Sequence, residues 1–201
     1  MADEITNYLT LNGPAGSLTK FREKAVGPMP IYKLSDNKKH QQDKWVRSIP
    51  VLKMMRAERI KSGETFQFHN FIPIPKNVLE AGYDEIGRDW EYENWGVAGG
   101  AIYPKILDDE TDSSKLVYRF QTLWEPPLRF IEVVSIQFPD NLFMCEFFQR
   151  EQPYLPARII EYNNGQLIAD RPGSPIVVED SDETFHGYKM SYIWLQRDHT
   201  S

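Results

Sequence analysis

Cysteine is nearly absent from this 201-residue chain, which contains a single one, Cys145. One thiol cannot close an internal disulfide, so nothing in the sequence demands an oxidising compartment. Metal-binding patterns are also missing, because no histidine has a partner at the spacing of a metal site. The four histidines are His40, His69, His186 and His199. We therefore predict that the protein uses no disulfide, no metal and no other cofactor.

Long apolar runs are missing as well. No stretch approaches the roughly 18 apolar residues that a membrane-spanning helix needs. The first ten residues, MADEITNYLT, lack the basic flank and the apolar run of a signal peptide. We expect a cytoplasmic protein that does not contact a membrane.

Basic residues are fewer than acidic residues in this chain. The chain has 23 Lys and Arg against 29 Asp and Glu, a net charge of −6, which argues against a general nucleic-acid binder. Aromatic residues are abundant instead, at 13% of the chain, with five Trp, ten Tyr and eleven Phe. Such a composition is typical of a folded protein with a substantial core, and the length fits one domain.

Charge is unevenly distributed along the chain. Residues 33–61 carry nine basic and three acidic side chains, a net +6 within a total of −6, so the rest carries −12. Residues 80–112 hold ten acids against Arg88 and Lys105, and residues 179–183 form a second acidic run. Such runs are usually solvated loops and helix faces, and the alternative is an acidic surface that meets a basic partner.

The first third of the chain predicts a strand, a helix and an insertion. Residues 5–11 alternate with period two, which indicates a strand with one buried face. Leu18 and Phe21 have helical spacing. Residues 35–62 predict two poorly amphipathic helices broken at Pro50, lying outside the core. Residues 66–71 alternate and predict a short strand.

The remainder predicts alternating helices and strands. Tyr83, Ile86 and Trp90 indicate a helix that stops at Gly96. Strands are predicted at 101–107, at 117–124 with Tyr118, Phe120, Thr122 and Trp124 on one face, and at 142–148. A helix lies between the last two, with its buried stripe at Leu128, Ile131, Val134 and Phe138. Asn164-Gly165 predicts a β-hairpin, and residues 183–196 fit either a strand or a helix.

This order predicts an α+β fold. The core is a ferredoxin-like antiparallel sheet with helices on one face, joined by a helical insertion and a C-terminal β-hairpin extension. We expect a single domain over residues 1–201. Its core comprises about residues 5–30 and 66–150, the basic insertion about 33–62, and the extension 151–201. The sheet has edges that can pair, so a dimer is compatible with the fold.

No set of residues predicts catalysis. Cys145, in a strand, is expected to be a small buried hydrophobe. The glycine-rich residues 96–100 lack the lysine and the glycine order of a phosphate-binding loop. Asp89, Glu91 and Glu93 are spaced two apart on a helix and do not face one another, so a solvated face is the better account. We therefore expect a protein that is not an enzyme.

Two clusters place tryptophan beside acids at the end of a regular element: residues 90–96 and residues 124–127. One interpretation is core tryptophan, and the other is an aromatic and acidic binding surface. Under the second, the contact residues are Trp90, Glu91, Glu93, Asn94, Trp95, Asp108, Asp109, Glu110 and Trp124. The residues available to contact phosphate or nucleic acid are Lys38, Lys39, Lys44, Arg47, Lys53, Arg56 and Arg59.

The same clusters carry a family resemblance. Residues 7–14 (NYLTLNGP), 71–75 (FIPIP), 93–96 (ENWG) and 120–127 (FQTLWEPP), with a helix ending in FPD at 138–140, are the matching pieces. They resemble the phage and plasmid accessory family named for the YubB ferredoxin-like domain, over about residues 5–150. The chain departs from the family at residues 97–100, where a Lys-Trp pair often follows. The resemblance implies a ferredoxin-like fold and a mobile-element origin, and no catalytic residues.

Three functions remain open at this point. The leading hypothesis is a non-enzymatic protein in the host cytosol that binds and inhibits a host protein, for example an anti-phage defence factor. The second is a small-ligand module in which Trp90, Trp95 and Trp124 stack on the base of a nucleotide and the basic insertion contacts its phosphate. The third is nucleic-acid binding through residues 33–61, which the acidic remainder of the chain opposes.

Overall fold

A six-stranded antiparallel sheet organises the chain. The computed structural model describes residues 4–33, 65–108, 114–149 and 157–173, together with the backbone of Glu183–Phe185 and Tyr188–Met190. The two helices predicted within residues 35–62 lie outside the described residues. The strands of the sheet are β1 (Glu4–Asn12), β2 (Ile102–Asp108), β3 (Lys115–Leu123), β4 (Leu142–Gln149), β5 (Arg158–Asn163) and β6 (Gln166–Pro172).

The strand order is β2-β3-β1-β4-β5-β6. Its first four strands are two interleaved β–α–β units, because β1 and β2 flank β3, and β3 and β4 flank β1. This is the ferredoxin-like topology, so the predicted fold class is confirmed. The predicted hairpin is β5–β6, which extends the sheet beyond β4. Asn164 and Gly165 connect it with φ of 46° and 75°, as the favoured two-residue turn requires.

The helices are α1 (Ala15–Ala25), α2 (Lys76–Ala81), α3 (Arg88–Trp95) and α4 (Leu128–Gln137), with a 3-10 turn at Phe68–Asn70 and a π-helix at Tyr83–Gly87. In the described part of the chain no helix has the length and apolar character to cross a membrane. The C-terminal region, where helix and strand were both open, contains β7 (Glu183–Phe185) and β8 (Tyr188–Met190), which pair antiparallel.

Helices α1 and α4 cover one face of the sheet. On that face Leu9 of β1 lies between Tyr118 of β3 and Cys145 of β4, and all three side chains are fully buried. Phe21 of α1 and Phe130 of α4 pack into the same core. Each fully buried side chain of this size stabilises the fold by roughly 1.5–3 kcal/mol. The core therefore lies between these two helices and the sheet.

The opposite face of β1 is also buried. Thr6 and Thr10 point away from the helices, yet they are 0% and 9% exposed. The prediction of one buried face for this strand was therefore wrong. Period-two alternation of apolar and polar residues usually indicates a strand with one exposed face. In β1 the polar positions are occupied by Thr6 and Thr10, whose side chains can also be buried on the second face of a central strand.

Residues 66–71 do not form the predicted strand. The backbone amides of Phe71 and Ile72 both donate to the carbonyl of Phe68 at 3.0 Å, which closes a 3-10 turn. The turn directs Phe66, Phe68 and Phe71 into the core. Alternating aromatics in a short segment fit a strand equally well, so the sequence pattern did not distinguish the two.

The helical stripe predicted from Tyr83, Ile86 and Trp90 is wrong at Ile86, whereas Tyr83 and Trp90 pack against the core. The π-helix at Tyr83–Gly87 shifts the register, leaving Ile86 42% exposed. In α4 the predicted stripe is correct at Ile131 and Val134. Phe130 is buried beside them, whereas Leu128 and Phe138 are only half-buried. The failure at Ile86 has a physical cause, because the wider turn of a π-helix rotates every following side chain away from the position that an ideal period of 3.6 residues gives.

We expect Gly165→Ala to destabilise the protein by about 1–2 kcal/mol. A methyl group there would lie 2.7 Å from Cγ1 of Ile136, and the φ of 75° favours glycine. Urea unfolding followed by circular dichroism measures the change. Gly16→Ala in α1 is the matched control, because its methyl group meets nothing within 4 Å and alanine favours a helix. Equal stability of the Gly165 variant and the wild type would contradict the account.

Candidate binding surface

Trp95, at the end of α3, belongs to the core. It is 2% exposed, and its indole Nε1–H donates to the carbonyl of Ile72 at 3.1 Å. Its ring packs edge-on against Phe68, with 5.8 Å between centroids. Trp90 is half-buried and packs edge-on against Trp95 at 5.7 Å. The structure therefore places these two predicted contact residues in core packing, where Trp95 has no ring face open to a ligand.

Glu91 is buried, although it belongs to a run of acids that predicted a solvated face. It is 2% exposed. Its Oε1 accepts a hydrogen bond from the Tyr32 hydroxyl at 2.8 Å, and its Oε2 accepts one from the Gly99 amide at 2.6 Å. The carboxylate therefore ties α3 to Tyr32, far away in the sequence, and to the glycine-rich segment that follows the helix. The prediction of a solvated face is wrong for Glu91, because the spacing of the acids does not reveal either hydrogen bond.

The glycine-rich segment at 96–100 receives this carboxylate. Gly96, Gly99 and Gly100 all have positive φ, which lets the chain curl back towards α3. Backbone amides in such a segment are a common anion-binding arrangement. Here the Gly99 amide is already bound by Glu91. The hydrogen bond to Glu91 therefore explains the conformation of this segment as packing within the protein. The segment also lacks a phosphate-loop motif.

The Glu91 charge also affects a neighbouring phenol. Burial raises the pKa of Tyr83 strongly, and the nearby Glu91 carboxylate raises it further. Tyr83 packs edge-on against Tyr32 at 5.4 Å. Glu91 therefore accepts a hydrogen bond from Tyr32 and raises the pKa of the neighbouring Tyr83 phenol.

The other predicted contact residues are scattered. Glu93 is exposed on α3, and the Asn94 amide donates to the Trp90 carbonyl at 2.8 Å. Asp108, at the end of β2, pairs with Lys115 at 2.7 Å. Asp109 and Glu110 lie outside the described residues. The same holds for the predicted phosphate or nucleic-acid contacts, which are Lys38, Lys39, Lys44, Arg47, Lys53, Arg56 and Arg59.

Trp124 differs from the other described tryptophans because it is on the surface. It is 48% exposed, one residue beyond the end of β3, and its φ is +64°. The prediction that Trp124 continues the face formed by Tyr118, Phe120 and Thr122 is therefore wrong, because those three side chains are buried and Trp124 is not. A left-handed conformation costs a residue other than glycine about 1–2 kcal/mol. The backbone at this position turns the ring out of the strand.

Hydrogen bonds hold this conformation in place. The Glu125 amide donates to the Leu123 carbonyl at 2.8 Å, closing a three-residue γ-turn centred on Trp124. With positive φ, this is the rare and strained form of that turn. The Thr122 hydroxyl donates to the Glu125 carbonyl at 2.7 Å. We call residues 122–125 the Trp124 turn.

A buried asparagine anchors the Trp124 turn to the centre of the sheet. Asn7 of β1 is 0% exposed, and its Nδ2 donates to Thr122 Oγ1 at 3.0 Å and to the Ile5 carbonyl at 3.2 Å. Thr122 itself is also fully buried. The exposed indole therefore lies on a turn that is fixed by buried polar groups of the adjacent strands β1 and β3.

The Trp124 turn lies where several elements meet. Glu4, the first residue of β1, pairs with Leu123 beside it. Helix α4 starts four residues after Trp124, and Gly96 at the end of α3 approaches Arg129 of α4 so closely that a Cβ added at Gly96 would lie 3.2 Å from the Arg129 Cβ. The corner thus combines an exposed aromatic ring with the exposed side chains of Glu125 and Arg129.

Among the described residues, Cys145 is buried and His69 has a structural hydrogen-bond partner. Burial raises the pKa of the Cys145 thiol, and the Glu146 charge adds to the effect. His69 Nδ1 accepts a hydrogen bond from the Ile74 amide at 3.0 Å, and burial lowers the pKa of its imidazole. Within the described ranges, no three His, Cys, Asp or Glu side chains are grouped to hold a metal ion.

Comparison with known proteins supports the fold. No family model matches the chain, and no curated protein matches it. The structure is similar to the crystal structure of protein api92 from Yersinia pseudotuberculosis, assigned to the DUF1281 family, with a TM-score of 0.56 and 9% sequence identity. The similarity covers 86% of this chain and 98% of api92. At this identity it shows the fold alone.

We expect Glu91→Gln to lower the free energy of unfolding by about 1–3 kcal/mol. The glutamine oxygen can accept from one of the two donors, but its amide nitrogen then faces the other donor. Urea unfolding at neutral pH measures the loss. Glu93→Gln, an exposed position on the same helix, is the control and should change stability by less than about 0.5 kcal/mol. Equal effects of the two substitutions would show that the Glu91 contacts do not stabilise the fold.

Because Trp124 has a positive φ, we expect glycine to be a more stabilising replacement than alanine at this position, the reverse of the usual order. Trp124→Gly should be more stable than Trp124→Ala by about 1 kcal/mol, because only glycine adopts positive φ without cost. At Leu107, which is exposed in β2 and lacks positive φ, glycine should be the less stable of the two replacements. Thermal unfolding of the four variants tests this. The same order at both positions would refute a strained Trp124.

Proposed function

We propose that this chain is a non-enzymatic accessory protein that binds and inhibits a host protein, and that its contact surface centres on the Trp124 turn. Two observations support this proposal: Trp124 lies on the surface, and the sequence resembles a family of phage and plasmid accessory proteins. The motif FQTLWEPP at 120–127, one of the pieces that carry that resemblance, contains this turn. The host target, for example a defence factor, is part of the proposal.

The observation that carries the proposal is the half-exposed indole in a conformation that costs free energy. A tryptophan serving the core would be buried, as Trp95 is. Strained residues persist where the surrounding structure fixes them, and they concentrate at functional sites. Tryptophan is also among the residues that dominate binding energy in protein interfaces. The buried contacts of Asn7 and Thr122 keep the ring in place before a partner arrives.

The nucleotide alternative receives less support. It used Trp90, Trp95 and Trp124 as a common stacking platform, but Trp95 is buried and Trp90 packs on it edge-on. That leaves Trp124 for stacking, and Glu125 beside it would repel a phosphate. Nucleic-acid binding through residues 33–61 stays a prediction, because that segment lies outside the described residues.

A pull-down from a lysate of the host cell tests the proposal. Wild type should capture a defined protein, and Trp124→Ala should reduce the capture at least about tenfold, as loss of an interface hot spot does. Leu167→Ala, which truncates another exposed apolar side chain on β6, should leave it unchanged. Circular dichroism confirms that each variant is folded. Capture that is identical for all three proteins would refute a contact surface at Trp124.

A further inference from the structure

We propose that the group accepted at the Trp124 turn is a cationic side chain of the partner, most favourably an arginine guanidinium. The inference rests on the proposed function and specifies its chemistry. The face of an indole ring attracts cations more strongly than the ring face of any other aromatic side chain does. A guanidinium is planar and weakly hydrated, so it stacks on such a face while hydrogen-bonding to a carboxylate.

The charges around the turn favour this choice. Glu125 directly follows Trp124, and its side chain is exposed without an ion pair to any other described residue. Glu4 lies on the neighbouring strand, beside Leu123. Arg129, five residues after Trp124, pairs through its Nη1 with Glu132 Oε2 at 2.9 Å. The indole face therefore lies beside acidic groups, and Arg129 is already paired within α4.

The wider surface has the same sign. Asp84, Glu85, Asp89 and Glu93 are exposed along the π-helix and α3, whose C-terminal end packs against α4 at Arg129. Arg88 is the described base within that stretch and pairs with Asp89 at 3.5 Å. Clustered charge of one sign raises the encounter rate with a partner of opposite sign and repels partners of like sign. An acidic or phosphate-bearing group is thereby disfavoured at the turn.

Titration of a labelled protein tests the chemistry directly. The nitrogen-15 indole resonance of Trp124, assigned by its loss in Trp124→Leu, is followed while short peptides alternating glycine with arginine, lysine or glutamate are added. The arginine peptide should shift this resonance most, the lysine peptide less, and the glutamate peptide and ATP not at all. Raising salt from about 50 to 300 mM should weaken the shift, because exposed charges are screened.

Two variants separate the ring from the charge. Trp124→Leu keeps an apolar side chain but removes the π face, and should weaken arginine-peptide binding, measured by calorimetry, by about threefold or more. Glu125→Gln should weaken it by about two- to fivefold. Leu167→Ala on β6 is the control and should bind as wild type does. No arginine-dependent shift, or an equal response to the glutamate peptide, would overturn the inference. If Trp124→Ala still abolished protein capture in that case, the proposed function would stand without it.

Discussion

The stacking of Phe68 on Phe130, with ring centroids 3.8 Å apart, is the contact on which the helical side of this protein depends. Phe68 comes from the 3-10 turn and Phe130 from α4, one of the two helices that cover the sheet. The contact therefore holds the irregular segment around the 3-10 turn against α4. Trp95 packs on Phe68, and Trp90 packs on Trp95, which places α3. Close-packed rings tolerate little displacement, so the position of α3, and with it Glu91, depends on this stack.

The second constraint is polar and lies at the end of the same sheet. Asn7 joins the central strand β1 to Thr122 of β3, and Thr122 holds the carbonyl of Glu125. Buried hydrogen bonds of this kind are costly to break, because each leaves an unsatisfied group away from water. The Trp124 turn is therefore as rigid as the strands that carry it. A rigid scaffold that presents an irregular turn is the usual way in which a fold supports binding.

The sequence predicted most of the fold and little of the candidate surface. Period-two alternation and the Asn164-Gly165 turn identified strands whose pairing the structure confirms. The two tryptophan clusters looked alike in sequence, yet Trp95 is in the core and Trp124 is outside. Their difference arises from one strained φ, which no periodicity encodes. Glu91 was missed for another reason, since its partners Tyr32 and Gly99 are close only after folding.

The β5–β6 hairpin has a consequence for how many neighbours this chain can hold at once. Among the described strands, it moves one edge of the sheet from β4 to β6, four strand spacings from β3, whose end carries Trp124, while the other edge, β2, stays directly beside β3. At about 4.8 Å per strand, β6 is roughly 19 Å from β3. A strand added along β6 would therefore leave the Trp124 turn uncovered. In a bare four-stranded core the corresponding edge, β4, would be only about 10 Å from β3.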